Sequence, residues 1–162
     1  PKSLLRHKLA VSSLAEMGPG TTFHRVLYDN EKLIEDSAVR RVVLCSGKVY
    51  YDLFEERAKR GQADVFFLRL EQLYPFPAKV LAHELARFPQ AEIVWCQEEP
   101  RNMGAWFFVA PEIEAVMDKL GHAQRRLIYA GRPAAASPAT GLLRRHNREQ
   151  AALVDAALTL PK

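Results

Sequence analysis

The pattern that decides the fold begins at residues 42–53, which read Val42-Val43-Leu44-Cys45-Ser46-Gly47-Lys48-Val49-Tyr50-Tyr51-Asp52-Leu53. The first four residues are apolar and rich in β-branched side chains, which is typical of a strand buried on both faces. From Lys48 to Arg60 the apolar residues recur at helical spacing, and Gly61 ends the predicted helix. A buried strand that leads directly into a helix indicates an α/β protein with a parallel sheet.

The same alternation of strand and helix continues along the chain. Strands are predicted at residues 65–68, 93–96 and 127–130, and helices at residues 78–88, over a stretch that ends at Gly121, and at residues 140–158. The apolar spacing gives these helices inward-facing side chains, among them Val80, Leu81, Leu143 and Leu153. We therefore expect a three-layer α/β/α domain over residues 40–162, with a mostly parallel sheet and right-handed crossovers.

The first 39 residues are less regular than the rest. The turn-forming cluster at residues 17–22 leaves no room for a helix. Residues 23–27 suit a short edge strand, residues 30–36 suit one turn of helix, and an additional edge strand can run antiparallel to the others. We expect residues 1–39 to form an arm that packs on the rest of the domain or on a neighbour.

Composition and charge narrow the class of protein. Apolar residues make up 48% and charged residues 26% of the 162 residues, as in ordinary soluble domains. No run of eighteen apolar residues and no signal peptide is present, so we expect a cytoplasmic protein without a membrane partner. The net charge of +4 is spread over short doublets, which argues against nucleic-acid binding. Since the chain opens on Pro1, we expect it to be a piece of a longer protein.

The thirteen-residue stretch at 94–106 concentrates unusual residue types where a strand ends. It reads Val94-Trp95-Cys96-Gln97-Glu98-Glu99-Pro100-Arg101-Asn102-Met103-Gly104-Ala105-Trp106. In an open α/β sheet, ligands and partners bind at the carboxyl ends of the strands. Glu98 and Glu99 are candidates for an acid and base pair, or for salt bridges to Arg101 or to a partner subunit. A solvated loop between a strand and a helix is the alternative interpretation.

A second candidate site lies at Ser46-Gly47-Lys48, where the first predicted strand leads into a helix. Free amide groups and the helix dipole attract anions at such a position, and the lysine adds a full charge. The complete phosphate-loop pattern is absent, and a plain turn with a helix cap requires the same residues. Both interpretations therefore stay open.

Other reactive residue types show no catalytic arrangement in the sequence. The five histidines have no metal-ligand spacing, and His83 and His122 are expected at helix surfaces or ends. Cys45 and Cys96 are expected to be reduced and buried. Trp95, Trp106, Phe107 and Phe108 form an aromatic group suited to a core or an interface. We therefore predict no catalytic, cofactor-binding or metal-binding residue in this chain.

Several motifs in order resemble one known family. These are residues 1–7, residues 42–53, the segment Arg69-Leu70-Glu71-Gln72-Leu73-Tyr74-Pro75-Phe76-Pro77, the segment Trp95-Cys96-Gln97-Glu98-Glu99-Pro100 and residues 129–139. Together they resemble the C-terminal domain of the thiamine-dependent decarboxylating component of 2-oxoglutarate dehydrogenase. One departure is Met103, since relatives read Asn-Gln-Gly-Ala-Trp where this chain reads Asn-Met-Gly-Ala-Trp. The missing amide weakens any polar contact assigned to that side chain.

The resemblance implies a parent oxidoreductase of the tricarboxylic acid cycle. Such a parent uses thiamine diphosphate and magnesium to decarboxylate 2-oxoglutarate and then succinylates a lipoyl group. Its cofactor and substrate residues lie in upstream domains, so this fragment is expected to be an inactive scaffold that resembles the transketolase C-terminal domain. The implied partners are those upstream domains, a homodimer partner and the dihydrolipoyl succinyltransferase component.

The resemblance also assigns roles to particular residues. Some members of the family respond to acetyl-CoA or adenine nucleotides through the C-terminal region, which makes Ser46, Lys48 and Gln97 candidates for effector contacts. Glu98, Glu99 and Trp106 are candidates for the dimer interface. One alternative function is a regulatory module of a related 2-oxo acid dehydrogenase that binds an anion, acetyl-CoA or a nucleotide. A further alternative is a parent 2-oxo acid dehydrogenase of the branched-chain or pyruvate type.

Overall fold

The computed structural model describes residues 2–29, 31 and 33–161 of the chain. In chain order these contain the strand β1 (Val26–Tyr28), the strand β2 (Arg41–Cys45), the helix α1 (Val49–Arg60), the strand β3 (Val65–Leu70), the helix α2 (Ala78–Leu85), the strand β4 (Glu92–Pro100), the helix α3 (Trp106–Lys119), the strand β5 (Ile128–Arg132) and the helix α4 (Leu143–Leu158). Short 3-10 helices occur at Lys2–Arg6, Leu14–Met17 and Asp36–Ala38.

The strands form one mixed sheet in the order β1-β3-β2-β4-β5. The strand β2 is central and pairs in parallel with β3 and β4, and β5 continues the parallel set beyond β4. The strand β1 runs antiparallel to β3 at the edge. The predicted α/β class and mostly parallel sheet are confirmed, and the edge strand lies at Val26–Tyr28, slightly later than residues 23–27.

Two apolar clusters fill the space on the two faces of the sheet. One cluster packs α2 and α3 on the sheet through buried residues such as Leu85 and Ile113. The other packs α1 and α4 through residues such as Leu53 and Leu153. The expected three layers are therefore present, with the strands β2 and β4 buried between them.

The strand β4 is longer than the apolar run in the sequence suggests. Residues 93–96 carry the apolar pattern, but the strand continues to Pro100, which is aligned with Arg132 of β5 after a register shift at Gln97. Proline is tolerated there because the end of a strand next to an irregularity requires no ladder hydrogen bond from its nitrogen. The two glutamates therefore belong to a strand end instead of a solvated loop.

Two predicted inward-facing residues are exposed. Val80 is 37% exposed, and its neighbour Leu81, about 100° further round the helix, is the residue that is buried. Leu143 is 74% exposed although it lies on the same helical face as Val154. Burial in α4 begins only at Leu153, so the apolar face extends beyond the packed part of this helix.

The N-terminal arm carries many apolar side chains on its surface. Val26 and Val39 enter the core, whereas the earlier apolar residues Leu5, Leu9, Val11, Leu14, Met17 and Phe23 are exposed. Of the helical turn predicted at residues 30–36, Asn30 and Lys32 lie outside the described residues, and the 3-10 helix begins at Asp36. In the described part of the chain, no helix is long and apolar enough to cross a membrane.

A buried ion pair, which the sequence pattern does not reveal, attaches the arm to the domain. The Arg57 guanidinium is 1% exposed, donates to the carboxylates of Asp29 and Glu31, and also donates to the backbone oxygen of Val65 at 3.0 Å. It lies 4.4 Å from the centre of the Phe67 ring. Helical spacing puts residue 57 on the inner face of α1, and the carboxylate from the arm makes burial of a charge there possible.

We predict that Arg57→Ala lowers the free energy of unfolding by about 3–5 kcal/mol, because it leaves the buried Asp29 carboxylate without its partner. Urea denaturation followed by circular dichroism measures this loss. Lys59→Ala is the matched control, since Lys59 lies on the same helix with its side chain 79% exposed, and its loss stays within about 0.5 kcal/mol. Equal losses in both variants contradict a role for the buried pair.

Candidate functional site

The sheet topology opens a crevice at the carboxyl ends of β2 and β4. The chain leaves β2 through α1 toward β3, and it leaves β4 through α3 toward β5, in the opposite direction. The helices α1 and α3 pack on opposite faces of the sheet. Open α/β sheets place their ligand sites at such a topological switch point.

A cavity of about 700 Å³ occupies this switch point. Its lining residues lie within the last part of β4 or after β2, β3 and β4, and are Ser46, Gly47, Lys48, Leu73, Tyr74, Trp95, Gln97, Glu98, Glu99, Gly104, Ala105 and Phe108. The structure thus brings together the three predicted effector candidates and both interface glutamates. The third interface candidate, Trp106, lies inside the adjoining core.

The side-chain amide of Gln97 organises the wall of this cavity. It is 3% exposed, and its oxygen accepts hydrogen bonds from the indole nitrogen of Trp95 and the backbone nitrogen of Trp106, both at 3.0 Å. Its nitrogen donates to the backbone oxygens of Met103 at 2.8 Å and Pro100 at 3.3 Å. The contact at position 103 uses the backbone oxygen, so it does not depend on which side chain is present there. Gln97 shapes the turn between β4 and α3.

Lys48 is held by two carboxylates from different elements. Its Nζ donates to Asp52 Oδ2 at 2.8 Å and to Glu98 Oε1 at 3.3 Å, and the Gln150 amide donates to the same two oxygens at 2.7 and 3.0 Å. Burial disfavours the ammonium ion, but the hydrogen bonds and charges of the two carboxylates outweigh it and raise the pKa of Lys48. Of the three N–H groups of an ammonium, one remains for a ligand.

Glu98 and Glu99 do not share a target. Successive side chains of a strand point to opposite faces, and here Glu98 contacts Lys48 while Glu99 is exposed beside Gly104. Both carboxylates line the cavity, but Glu98 is engaged by Lys48 while Glu99 is exposed, so the two are not arranged as an acid and base pair acting on one substrate. Among the charged residues that line the cavity, one lysine faces two glutamates, so the cavity carries a net negative charge.

The turn at Ser46-Gly47-Lys48 has a glycine suited to a sharp turn, but it does not provide a side-chain cap for the helix that follows. Gly47 has a φ of 72°, a conformation that glycine adopts without strain, and this explains the sharp change of direction after β2. The residue at the N-cap of α1 is Lys48, and no side chain caps it within the described chain. Ser46 is exposed on the cavity wall and is free to contact a ligand.

The aromatic residues divide between the core and the surface. Trp106 is 8% exposed and packs edge-on against Tyr129, with ring centres 4.9 Å apart. Burial raises the pKa of Tyr129 to about 12. The Arg101 guanidinium lies over both rings. The sequence had instead suggested a salt bridge from Arg101 to Glu98 or Glu99. Of the four aromatic residues grouped in the sequence, Phe107 and Phe108 are the ones that are exposed.

The cysteines and histidines have structural surroundings. Cys45 and Cys96 are free, buried and aligned on the neighbouring strands β2 and β4, as the sequence predicts for reduced thiols. Burial raises the pKa of Cys45 to about 12, which suppresses the reactive thiolate. Of the two predicted positions for His122, surface or helix end, the helix end is the one observed, since the residue follows α3 but is buried and lies 3.1 Å from the backbone oxygen of Phe88. Over the described residues, no group of three potential metal ligands occurs.

Comparison with known proteins gives one consistent result. Residues 11–158 match the model of the family described as 2-oxoglutarate dehydrogenase C-terminal. Proteins named 2-oxoglutarate dehydrogenase E1 component from Brucella ovis, Brucella canis and Brucella abortus are each 58% identical to 98% of this chain. The chain spans 16% of the length of these relatives.

We predict that Gly104→Ala lowers the free energy of unfolding by about 2–4 kcal/mol. A methyl group there lies 2.9 Å from Glu99 Cβ and 3.0 Å from the Gln97 amide nitrogen, and φ is 66°. Gly121→Ala is the matched control, because its φ is 63° but the methyl group meets nothing within 4 Å. Gly121→Ala loses only the ~1–2 kcal/mol that a side chain costs at a positive φ. Gly104→Ala loses this amount and, in addition, the energy of the close contacts that the methyl group makes. Equal losses in urea denaturation contradict a tightly packed cavity wall.

Proposed function

Because the chain belongs to the family described as 2-oxoglutarate dehydrogenase C-terminal, we propose that it is the noncatalytic structural and dimer-interface domain of such an enzyme. The parent oxidoreductase uses thiamine diphosphate and Mg²⁺ to decarboxylate 2-oxoglutarate and then succinylates a lipoyl group in the tricarboxylic acid cycle. The observation that carries this proposal is the 58% identity of nearly the whole chain to E1 components that bear that name. These names favour 2-oxoglutarate over a branched-chain substrate or pyruvate.

The use of polar groups at the switch point supports a scaffold role. Gln97 has its amide oxygen and nitrogen engaged in the turn, and Lys48 joins α1 to the end of β4. In many α/β enzymes these positions contact a substrate, whereas here their hydrogen bonds stabilise the domain. A site whose polar groups are already paired offers little to a reacting molecule.

Thiamine diphosphate does not fit the cavity at the switch point. Its diphosphate would meet Glu98 and Glu99, and the single lysine on the wall is already paired with carboxylates. Since like charges repel in a partly buried site, a free diphosphate is disfavoured there, and the described residues contain no group of three potential metal ligands to hold the Mg²⁺ that would offset this repulsion. We therefore place the cofactor and Mg²⁺ in the part of the parent enzyme that this chain does not include.

Exposed apolar residues support contacts with other domains and subunits. Leu5, Val11 and Leu14 of the arm are all more than three-quarters exposed, and Phe107 and Phe108 present aromatic surface at the start of α3. Such groups gain free energy when another surface covers them. We assign them to contacts with upstream domains, a second copy of the enzyme or the dihydrolipoyl succinyltransferase component. The cytoplasm is the proposed location.

The central test compares the isolated chain with the complete gene product. We predict that the isolated chain folds but neither binds thiamine diphosphate nor decarboxylates 2-oxoglutarate, because its polar groups are committed to the scaffold. Circular dichroism verifies folding, calorimetry measures cofactor binding, and a decarboxylation assay measures activity, while light scattering gives the oligomeric state. The complete gene product is the positive control. Turnover by the isolated chain refutes the proposal.

A regulatory site is the second candidate function, and the cavity at the switch point favours it. One space of about 700 Å³ is lined by Ser46, Lys48 and Gln97, and it is large enough for an adenine nucleotide or part of acetyl-CoA. Ser46 is exposed and Lys48 retains one N–H group. The net negative charge of the lining weighs against a chain of phosphates and favours the scaffold role.

If the Lys48 ammonium pairs with an effector phosphate, we predict that Lys48→Ala weakens binding of acetyl-CoA or AMP by about 1–3 kcal/mol. Isothermal titration calorimetry of the complete gene product measures the change. Lys59→Ala removes the same charge from an exposed position on α1 and leaves the affinity unchanged. Equal affinities of the wild-type protein and Lys48→Ala exclude this lysine as an effector contact.

A further inference from the structure

A second cavity lies beyond the end of β5, separate from the one at the switch point. Its volume is about 110 Å³, several times the ~10–15 Å³ that a cavity needs to hold one water molecule. The loop at residues 133–141 and the first turns of α4 enclose it. Asn102 fixes the loop, because its side chain exchanges two hydrogen bonds of 3.0 Å with the backbone of Ala135.

Arg132 forms the inner wall of this cavity and is incompletely paired. The residue is 6% exposed, and its Nη2 lies 3.0 Å from His146 Nδ1 and donates to Gln150 at 3.1 Å. The carboxylate of Glu149 lies 3.8 Å from Nη1, which is too long for a hydrogen bond. The buried Nε has no partner in the described structure. A buried charged donor without an acceptor is costly, which indicates that an acceptor belongs there.

A second buried polar atom of the same lining is also unpaired. Thr140 lines the cavity from the loop, and its buried Oγ1 has no hydrogen-bond partner in the described structure. An oxyanion accepts hydrogen bonds from both a hydroxyl and a guanidinium, so one ligand can satisfy both atoms. Because both atoms are closed to solvent, binding includes a small outward shift of the loop at residues 133–141.

The start of α4 supplies further attraction for an anion. Within the described chain, no side chain caps this helix at Leu142, and its first turn has no acidic residue but contains Arg144 and Arg145. Positive side chains next to the positive end of a helix dipole are unfavourable unless a negative group lies nearby. Free backbone N–H groups at such an end bind phosphate and carboxylate groups.

The charged residues that line this cavity are more positive than negative, which suits an anion. Of the charged residues described in its lining, Arg132 and Arg145 are positive and Glu149 is negative. The hydrogen bond from Arg145 lowers the pKa of Glu149, so this carboxylate stays charged at neutral pH and the lining keeps an excess positive charge. This is the opposite of the cavity at the switch point.

We propose that this cavity binds a small oxyanion, namely a phosphate group held by Arg132, Thr140, Arg145 and the start of α4. The volume admits one phosphate group and excludes a nucleotide, so the ligand is free inorganic phosphate or the terminal phosphate of a larger molecule. Occupancy pairs the two unsatisfied atoms and joins the loop to α4. Phosphate binding therefore stabilises the part of the domain formed by the end of β5, the loop at residues 133–141 and the start of α4.

The test titrates the complete gene product with inorganic phosphate and with phenyl phosphate in a buffer free of other oxyanions. We predict saturable binding by calorimetry, together with a rise in the melting temperature. Tighter binding of phenyl phosphate identifies the end of a larger molecule as the ligand, whereas binding of inorganic phosphate alone identifies the free ion. The absence of saturable binding of either probe at millimolar concentration overturns the proposal.

Two variants locate the site without removing the buried arginine. Arg145→Ala weakens binding by about tenfold or more, whereas Arg148→Ala removes the same charge from an exposed position farther along α4, outside the cavity, and changes binding less than about twofold. Thr140→Val weakens binding but does not lower stability without phosphate, because it removes an unpaired hydroxyl. Equal losses in the two arginine variants indicate nonspecific attraction and contradict the site.

Discussion

The hydrogen bonds of the buried Gln97 amide connect the end of β4 with the start of α3, and the cavity at the switch point depends on them. The amide oxygen holds the indole of Trp95 and the first amide of α3, while the amide nitrogen holds the turn at Met103. This geometry requires Gly104 at a positive φ, since a side chain there would collide with Gln97 and Glu99. One amide therefore fixes the position of the strand, the turn and the helix.

Around Gln97, ion pairs also connect strands and helices to one another. Lys48 joins the start of α1 to the end of β4, and Gln150 of α4 donates to the same carboxylates. Farther away, Arg57 of α1 holds the arm through Asp29. Since burial of an unpaired charge is costly, each of these contacts restricts how the elements can be arranged. This use of charges agrees with the scaffold role that we propose.

Local patterns in the sequence were sufficient for the strands and helices, but they did not settle which side chains are buried. Apolar runs located β2, β3 and β4 because strands buried on both faces are mostly apolar, and a similar run located β5 although Ile128 in that strand is exposed. The helical pattern failed at Val80 and Leu143, because periodicity defines a face but not how much of that face the sheet covers. The extension of β4 to Pro100 was missed because pairing with β5 is a long-range interaction.

The sequence also identified residues that line the cavity at the switch point, but it left their roles open. Ser46, Lys48, Gln97, Glu98 and Glu99 all line it, because strand ends of a parallel sheet meet at one edge. The sequence did not predict that Gln97 is buried in a turn or that Asp52 and Gln150 complete the ion pair of Lys48. These partners lie up to 102 positions from Lys48 in sequence, counted from 48 to 150, so only folding brings them together.

The sequence by itself therefore determined the fold class, the order of strands and helices, and the family, since all of these depend on local apolar periodicity and on short motifs. The tertiary structure alone decided which charges are paired, which cavity is negative and which is positive, and where unpaired polar atoms remain. The physical reason is that electrostatic energy depends on distance and burial, and both are set by contacts between residues far apart in the chain.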